Sequence, residues 1–184
     1  MRSWIVRFAF AITAAIAHGA VAAEGGGFCA DCQLQIGVGG TYHYWGSTGG
    51  IVLPVTLVWD QDRYELGAFR MATAQEFYDE TFQARIRVAN PYWGFSASRR
   101  WEWFRHRYWR VVVGLGGAYR SEEDRLSASH WDFAEQLGLR ITPSSHTAIE
   151  LCLRHWSNAG LRLPNRGQDF ATVTFVITPP RLGR

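Results

Sequence analysis

The sequence contains no lysine, only three cysteines and, after its first 23 residues, no apolar stretch near the length of a membrane helix. A membrane-spanning helix needs about 20 consecutive apolar residues, so the rest of the chain does not read as a helical membrane protein. It has no convincing amphipathic helix of three turns either. All 19 basic residues are arginine, and against 16 acidic residues they leave a formal net charge of only +3. This balance argues little for a nucleic-acid partner, and we predict none.

The first residues have the pattern of a secretory signal. Two arginines precede an apolar run at Phe8–Ile16, and small residues follow up to Ala23. The run is too short to span a bilayer, so removal is expected rather than anchoring. We therefore predict a signal peptide at residues 1–23 and one domain at residues 24–184.

The cysteines give little support for metal or redox chemistry. Cys29 and Cys32 form a C-x-x-C just after the predicted cleavage site, and in a secreted chain they are able to close as a disulfide. Cys152 lies alone inside a strand-like segment. Further ligands are missing from the pattern, so we predict no metal site and no cofactor.

What the sequence does contain is alternation of apolar and polar residues, rich in aromatics and glycine, which is typical of strands. Eight segments have it: Gln33–Trp45, Ile51–Asp60, Tyr64–Met71, Arg85–Trp103, Tyr108–Arg120, Ser129–Thr142, His146–Trp156 and Asp169–Ile177. Within the fourth, Asn90-Pro91 has the pattern of a bulge or a break. Tight turns alternate with longer links, as they do in transmembrane barrels. We predict an all-β fold, an eight-stranded antiparallel transmembrane β-barrel. A soluble lipocalin-like barrel or a sandwich is the alternative.

The two faces of each segment differ in polarity. In the seventh, Ile149, Leu151 and Leu153 alternate with Glu150 and Arg154. A membrane barrel turns its apolar face to lipid and its polar face to the lumen, where opposite charges pair. Because the side-chain period of a strand is two, the parity of any residue predicts the face on which it lies.

Parity brings three polar residues to the apolar, outward face. His155 and Ser157 continue the apolar series of the seventh segment, and Asp169 continues that of the eighth. An imidazole beside a hydroxyl is the minimum for an activated serine, and a carboxylate orients the imidazole. Glu135, outward on the sixth segment, is an alternative acid or a substrate-binding residue. A polar loop at a strand end with a rim carboxylate is the structural alternative.

The stretch His155-Trp156-Ser157-Asn158-Ala159-Gly160, with Pro164-Asn165-x-Gly167 and the next acid, Asp169, resembles the PagL-type lipid A 3-O-deacylases of the Gram-negative outer membrane. The specific likeness covers about Ser129 to Ile177. It implies an eight-stranded barrel with a Ser-His-Glu triad on its outer surface at the outer leaflet. Ser157 would be the nucleophile, His155 the base, and Asp169 would stand where the family has glutamate. Aspartate is one methylene shorter, and we expect function to survive that change.

The resemblance implies a serine esterase that hydrolyses the 3-position acyl chain of lipid A, with lipopolysaccharide and outer-membrane lipids as its partners. The oxyanion needs hydrogen-bond donors, and Asn158, Asn165 and the backbone near Ala159 and Gly160 are the candidates. Two other functions stay open, a lipid-binding barrel without activity and a lipase acting on phospholipid. The sequence also leaves open whether the barrel forms a homodimer.

Overall fold

The computed structural model describes residues 31–42, 48–144 and 146–178, and these residues form ten strands. The strands are β1 Gln33–Tyr42, β2 Thr48–Trp59, β3 Tyr64–Met71, β4 Gln75–Asp79, β5 Ala84–Ala89, β6 Tyr92–Arg105, β7 Trp109–Arg120, β8 Trp131–Ile141, β9 Thr147–Ser157 and β10 Gln168–Ile177. The predicted signal peptide and Cys29 lie outside the described residues. Cys32 is disulfide-bonded, whereas Cys152 is a buried free thiol.

Eight of the strands close into an antiparallel barrel, as predicted. The order is β1-β10-β9-β8-β7-β6-β3-β2, and β2 pairs back onto β1. Closure satisfies the backbone of every barrel strand by its neighbours, which a sheet within lipid requires. No helix in the described part of the chain is long and apolar enough to cross a membrane.

The remaining two strands, β4 and β5, form a hairpin that the sequence did not predict. The hairpin pairs with the barrel at Thr48 and Glu76. The predicted fourth segment, Arg85–Trp103, was wrong at this point, because β5 ends at Ala89 and the wall strand β6 begins at Tyr92. The break falls at Asn90-Pro91, where proline removes a backbone donor from the ladder.

The barrel interior is polar and its charges are paired. Arg100 donates to both oxygens of Glu150 at 2.8 Å and to Glu65 at 3.0 Å. Arg140 Nε reaches Glu150 at 2.7 Å, and Arg154 reaches Glu65 at 2.7 Å. All five side chains are almost fully buried. Such a network holds buried charge only because each ion has a partner of opposite sign.

The outer wall is apolar, which is the reverse of a soluble barrel. On β9 the residues Ile149, Leu151 and Leu153 are each more than 40% exposed, while Glu150 and Arg154 are buried. Aromatic side chains are exposed near both ends of the wall, among them Trp131 and Trp103. This distribution is that of a transmembrane barrel with aromatic residues at its rims.

The two ends of the barrel differ in their connections. We call the end with turns 60–63 and 106–108 the turn end. The other, the loop end, carries the β4–β5 hairpin and the longer links 121–130 and 158–167. Strand β9 runs from the turn end to the loop end, so His155 and Ser157 lie close to the loop end.

An aromatic cluster fills the lumen just below the loop end. The Trp156 indole is fully buried and meets Phe69 and Phe170 edge-on, with ring centroids 5.1 Å away in both cases. Trp156 and Phe170 therefore fix β9 and β10 from the inside. Their chain neighbours His155, Ser157 and Asp169 point to the outer face, because successive side chains alternate.

Candidate active site

A histidine–aspartate pair lies on the outer surface of the barrel. His155 on β9 and Asp169 on β10 are direct partners in the antiparallel register. His155 Nδ1 and Asp169 Oδ1 are 2.7 Å apart, and their side chains are 40% and 18% exposed. The carboxylate accepts from Nδ1–H, so Nε2 is left as the basic nitrogen of the ring.

Ser157 lies two residues after His155 on the same face, at the last position of β9. Its register partner on β8 is Phe133, a half-exposed aromatic ring. Among the described residues, no hydrogen bond joins Ser157 Oγ to His155. The strand therefore brings the two side chains to one face. Their hydrogen bond would form when the serine side chain rotates as a substrate binds.

The second carboxylate flanks His155 from the other side. Glu135 on β8 is the register partner of His155, just as Asp169 is on β10. The recorded hydrogen bond of the imidazole goes to Asp169. Because a β-sheet puts direct partners about 5 Å apart at Cβ, Glu135 still borders the site without sharing the Nδ1 proton.

Gly167 packs against the imidazole of His155. A Cβ built at Gly167 would lie 2.5 Å from His155 Cε1 and 3.2 Å from Nε2. The residue also has a φ of +73°, a conformation that L side chains rarely adopt. Its backbone therefore forms one wall of the histidine site, and any side chain there would displace the ring.

The loop after Ser157 is organised by the buried side chain of Asn158. Its Oδ1 accepts from the Gly160 N–H at 3.0 Å, and its Nδ2 donates to Arg162 O at 3.0 Å and to Ser127 Oγ at 3.3 Å. Its backbone N–H donates to Asn165 Oδ1 at 3.0 Å. The amide group of Asn158 is thus engaged in holding the loop.

This reduces the predicted set of oxyanion donors. The backbone N–H of Gly160 and both N–H bonds of the Asn158 side-chain amide already have acceptors. Asn165 Oδ1 accepts from the Asn158 backbone N–H, which leaves Asn165 Nδ2 as the side-chain amide donor available in this loop. The backbone N–H of Ala159, a residue with a φ of +52°, is the other candidate within the described loop.

The residues that support this loop from the link between β7 and β8 were not predicted. The Leu126 carbonyl accepts from Arg166 N at 2.7 Å and from Gly167 N at 3.2 Å. The fully buried Ser127 pairs with Asn165 in an isolated antiparallel β-bridge. Its Oγ–H donates to Asp132 Oδ1 at 2.9 Å. The only local signal was Asp124, whose carboxylate caps the following turn in the way typical of aspartate.

No group of three or more histidine, cysteine or acidic side chains suited to a metal ion occurs in the described ranges. The groups that this surface presents are an imidazole, a hydroxyl and two carboxylates beside an apolar wall. These groups suit acyl transfer by a serine.

Comparison with known proteins agrees with this fold. A family model described as lipid A 3-O-deacylase (PagL) matches residues 49–178. A lipid A deacylase PagL from Bordetella bronchiseptica (strain ATCC BAA-588 / NCTC 13252 / RB50) is 28% identical over 86 residues, 45% of this chain. That match spans about half, 48%, of the relative's own length.

Solved structures show the same fold at low sequence identity. A crystal structure of the outer membrane enzyme PagL has a TM-score of 0.54 at 18% identity, covering 80% of this chain and 99% of that one. The N-terminal β-barrel domain of Pseudomonas aeruginosa OprF has a TM-score of 0.53 at 13% identity, covering 82% and 98%. Because the family model matches well over half of the residues, the chain belongs to the PagL lipid A 3-O-deacylase family.

Proposed function

We propose that this protein is a serine esterase of the Gram-negative outer membrane that hydrolyses the ester-linked acyl chain at the 3 position of lipid A. Ser157 is the nucleophile, His155 the general base and Asp169 the acid that orients it. The observation that carries the proposal is the 2.7 Å contact between His155 and Asp169 on the apolar outer wall, two residues from Ser157. Polar side chains on a lipid-facing wall are costly, which favours a functional role for this pair.

The reaction begins with attack by the serine on the ester. Nε2 of His155 takes the Ser157 proton as Oγ bonds to the ester carbonyl carbon. The resulting imidazolium is stabilised by Asp169 through Nδ1–H. The oxyanion receives hydrogen bonds from Asn165 Nδ2 and the Ala159 N–H, each worth roughly 3–4 kcal/mol in such sites.

The intermediate then collapses and the bond from the carbonyl carbon to the 3-oxygen of lipid A breaks. His155 gives its proton to that oxygen, so the deacylated lipid A leaves as an alcohol. In the second half of the reaction, water hydrolyses the acyl-enzyme. His155 takes a proton from this water as its oxygen attacks the acyl carbonyl carbon. The fatty acid leaves as Ser157 recovers its proton from His155.

The apolar wall below the site supplies the surface for the acyl chains. Phe133 lies beside Ser157, and Leu137 and Leu153 follow toward the middle of the barrel, each more than 40% exposed. A lipid in the outer leaflet reaches the serine sideways, with its tails against this wall and its headgroup at the loop end. This approach avoids moving the tails through water.

The aspartate at position 169 suffices because the sheet compensates for its length. Asp169 and His155 are direct strand partners, and the carboxylate oxygen reaches Nδ1 at 2.7 Å. One methylene less than the family glutamate therefore costs no contact with the imidazole. Aspartate holds the histidine in other serine triads as well.

Replacing Ser157 by alanine is expected to reduce deacylation by at least about 10⁴-fold, because loss of a triad nucleophile removes the covalent route. Ser144→Ala, at an exposed turn on the opposite end, is the matched control and should keep full activity. The measurement is mass spectrometry of lipid A incubated with each purified barrel. Release of the 3-position chain by Ser157→Ala would contradict the serine mechanism. Phospholipid cleavage by the wild type with lipid A unchanged would contradict the substrate.

The two carboxylates beside His155 are expected to differ in their effects. Asp169→Asn should lower kcat about 10³- to 10⁴-fold, because it removes the acceptor that fixes the histidine tautomer. Glu135→Gln should cost less than about tenfold, because Glu135 does not hold Nδ1. Steady-state kinetics on the two purified variants makes the comparison. A larger loss from Glu135→Gln would exchange the roles of the two acids.

A methyl group at position 167 is expected to lower kcat about 100-fold with little change in KM, since a displacement near 1 Å of a catalytic group has costs of this size. The added Cβ would lie 2.5 Å from the imidazole. Gly160→Ala is the matched control, because Gly160 has a similar φ of +79° but nothing within 4 Å of its Cβ, and the variant keeps its N–H. Equal kcat values for the two variants would show backbone strain, rather than histidine displacement, as the cause.

A further inference from the structure

A cleft opens at the turn end of the barrel, away from His155. Strand β3 begins at Tyr64, which pairs with Arg99, so the rest of β6 extends past β3 and pairs only with β7. The turn 60–63 lies beside this extension, and the Arg100 N–H donates to Arg63 O at 2.6 Å. Between the turn and the extension is a cavity of about 260 Å³.

The lining of this cleft is basic. It contains five arginines, among them Arg63, Arg99 and Arg110, and only two acids, Asp62 and Glu102. The acids are already engaged, because Glu102 accepts two bonds from Arg105 at 2.6 Å and Asp62 pairs with Arg110. Arg100 is also paired, with Glu65 and Glu150 inside the barrel, so Arg63 and Arg99 carry the positive charge that an incoming anion meets.

Two guanidinium groups keep hydrogen-bonding capacity toward the cleft. Arg63 lies 3.8 Å from Asp60, with both side chains largely exposed, a pair worth little in water. Arg99 stacks 5.4 Å above the Trp101 ring, and stacking uses the face of the guanidinium rather than its N–H edge.

The cleft lies at the level where a membrane meets water. Trp101 on the outer wall lines it, and the neighbouring aromatics Trp103, Phe104 and Tyr108 are all more than half exposed. Tryptophan and tyrosine concentrate at the headgroup level of bilayers. An anion that binds here is thus within reach of acyl chains lying along the wall.

We propose that this cleft binds the phosphate group of a membrane phospholipid at the turn end of the barrel. Arginine forks match phosphate oxygens in pairs, which point charges do not. The phosphate accepts from Arg63 and Arg99, and the acyl chains lie beside Trp101. The site is separate from the esterase surface, and binding there does not depend on Ser157.

The test uses the folded barrel in maltoside micelles, which contain no phosphate. The protein is titrated with each of three probes: dioctanoyl phosphatidylglycerol, dioctanoylglycerol and inorganic phosphate. Tryptophan fluorescence reports binding, and native mass spectrometry counts the bound molecules. The phosphatidylglycerol is expected to bind saturably, and the diglyceride, with the same tails and no phosphate, is not. Equal binding of both lipids would overturn the proposal. Binding of inorganic phosphate with no binding of the lipid would assign the site to a free anion and overturn it equally.

Variants locate the site. The double change Arg63→Gln and Arg99→Gln should weaken phosphatidylglycerol binding at least about tenfold, as expected when charged hydrogen bonds are lost. Arg63→Gln alone should also weaken phosphatidylglycerol binding. Because Arg63 is exposed, this change is not expected to affect folding. Arg85→Gln, on the exposed β5 strand at the loop end, is the matched control and should bind as the wild type does. Unchanged affinity in both Arg63 variants would overturn the proposal.

Discussion

The burial of Trp156 between His155 and Ser157 is the constraint on which the proposed site depends. Its indole fills the lumen beside Phe69 and Phe170, and no other orientation of β9 would bury it. Because alternate residues of a strand take opposite faces, the same packing turns the imidazole and the hydroxyl outward. Phe170 does this for Asp169 on the next strand. A one-residue slip would put the three polar groups inside and the indole into lipid, which makes the register strongly specified.

The polar interior and apolar outer wall of the barrel explain why the proposed site faces outward. The ion pairs of Glu65, Arg100 and Glu150 fill the interior, so the wall is left to apolar side chains. In the proposed reaction, the serine, the histidine and the aspartate on that wall meet lipid acyl chains directly. The link between β7 and β8 then holds the loop over them through Leu126 and Ser127. Rigid strands thus carry the reacting groups, while two joined loops carry the candidate oxyanion donors.

Much of this could be predicted from the sequence because strand alternation has an exact period. The bounds of β3 were predicted as found, and the outward parity of His155, Ser157 and Asp169 followed from counting. The β4–β5 hairpin was missed because β4 is short and polar, and because the alternation of β5 was taken as the beginning of the wall strand β6. The bonds of Asn158 and Ser127 depend on contact between loops about 30 residues apart, to which local pattern gives no access. For this reason the sequence offered Asn158 as an oxyanion donor, whereas its amide is engaged in the loop.

Spin-label accessibility at position 155 tests the outward orientation of the site most directly. His155→Cys would be labelled in a barrel lacking its native cysteines, in lipid bilayers, with Leu153→Cys as the lipid-facing reference and Ser144→Cys as the water-facing one. The account predicts that label 155 collides with dissolved oxygen much more than with a water-soluble nickel complex, as label 153 does. A label at 155 that is shielded from both, or that meets nickel as label 144 does, would contradict it.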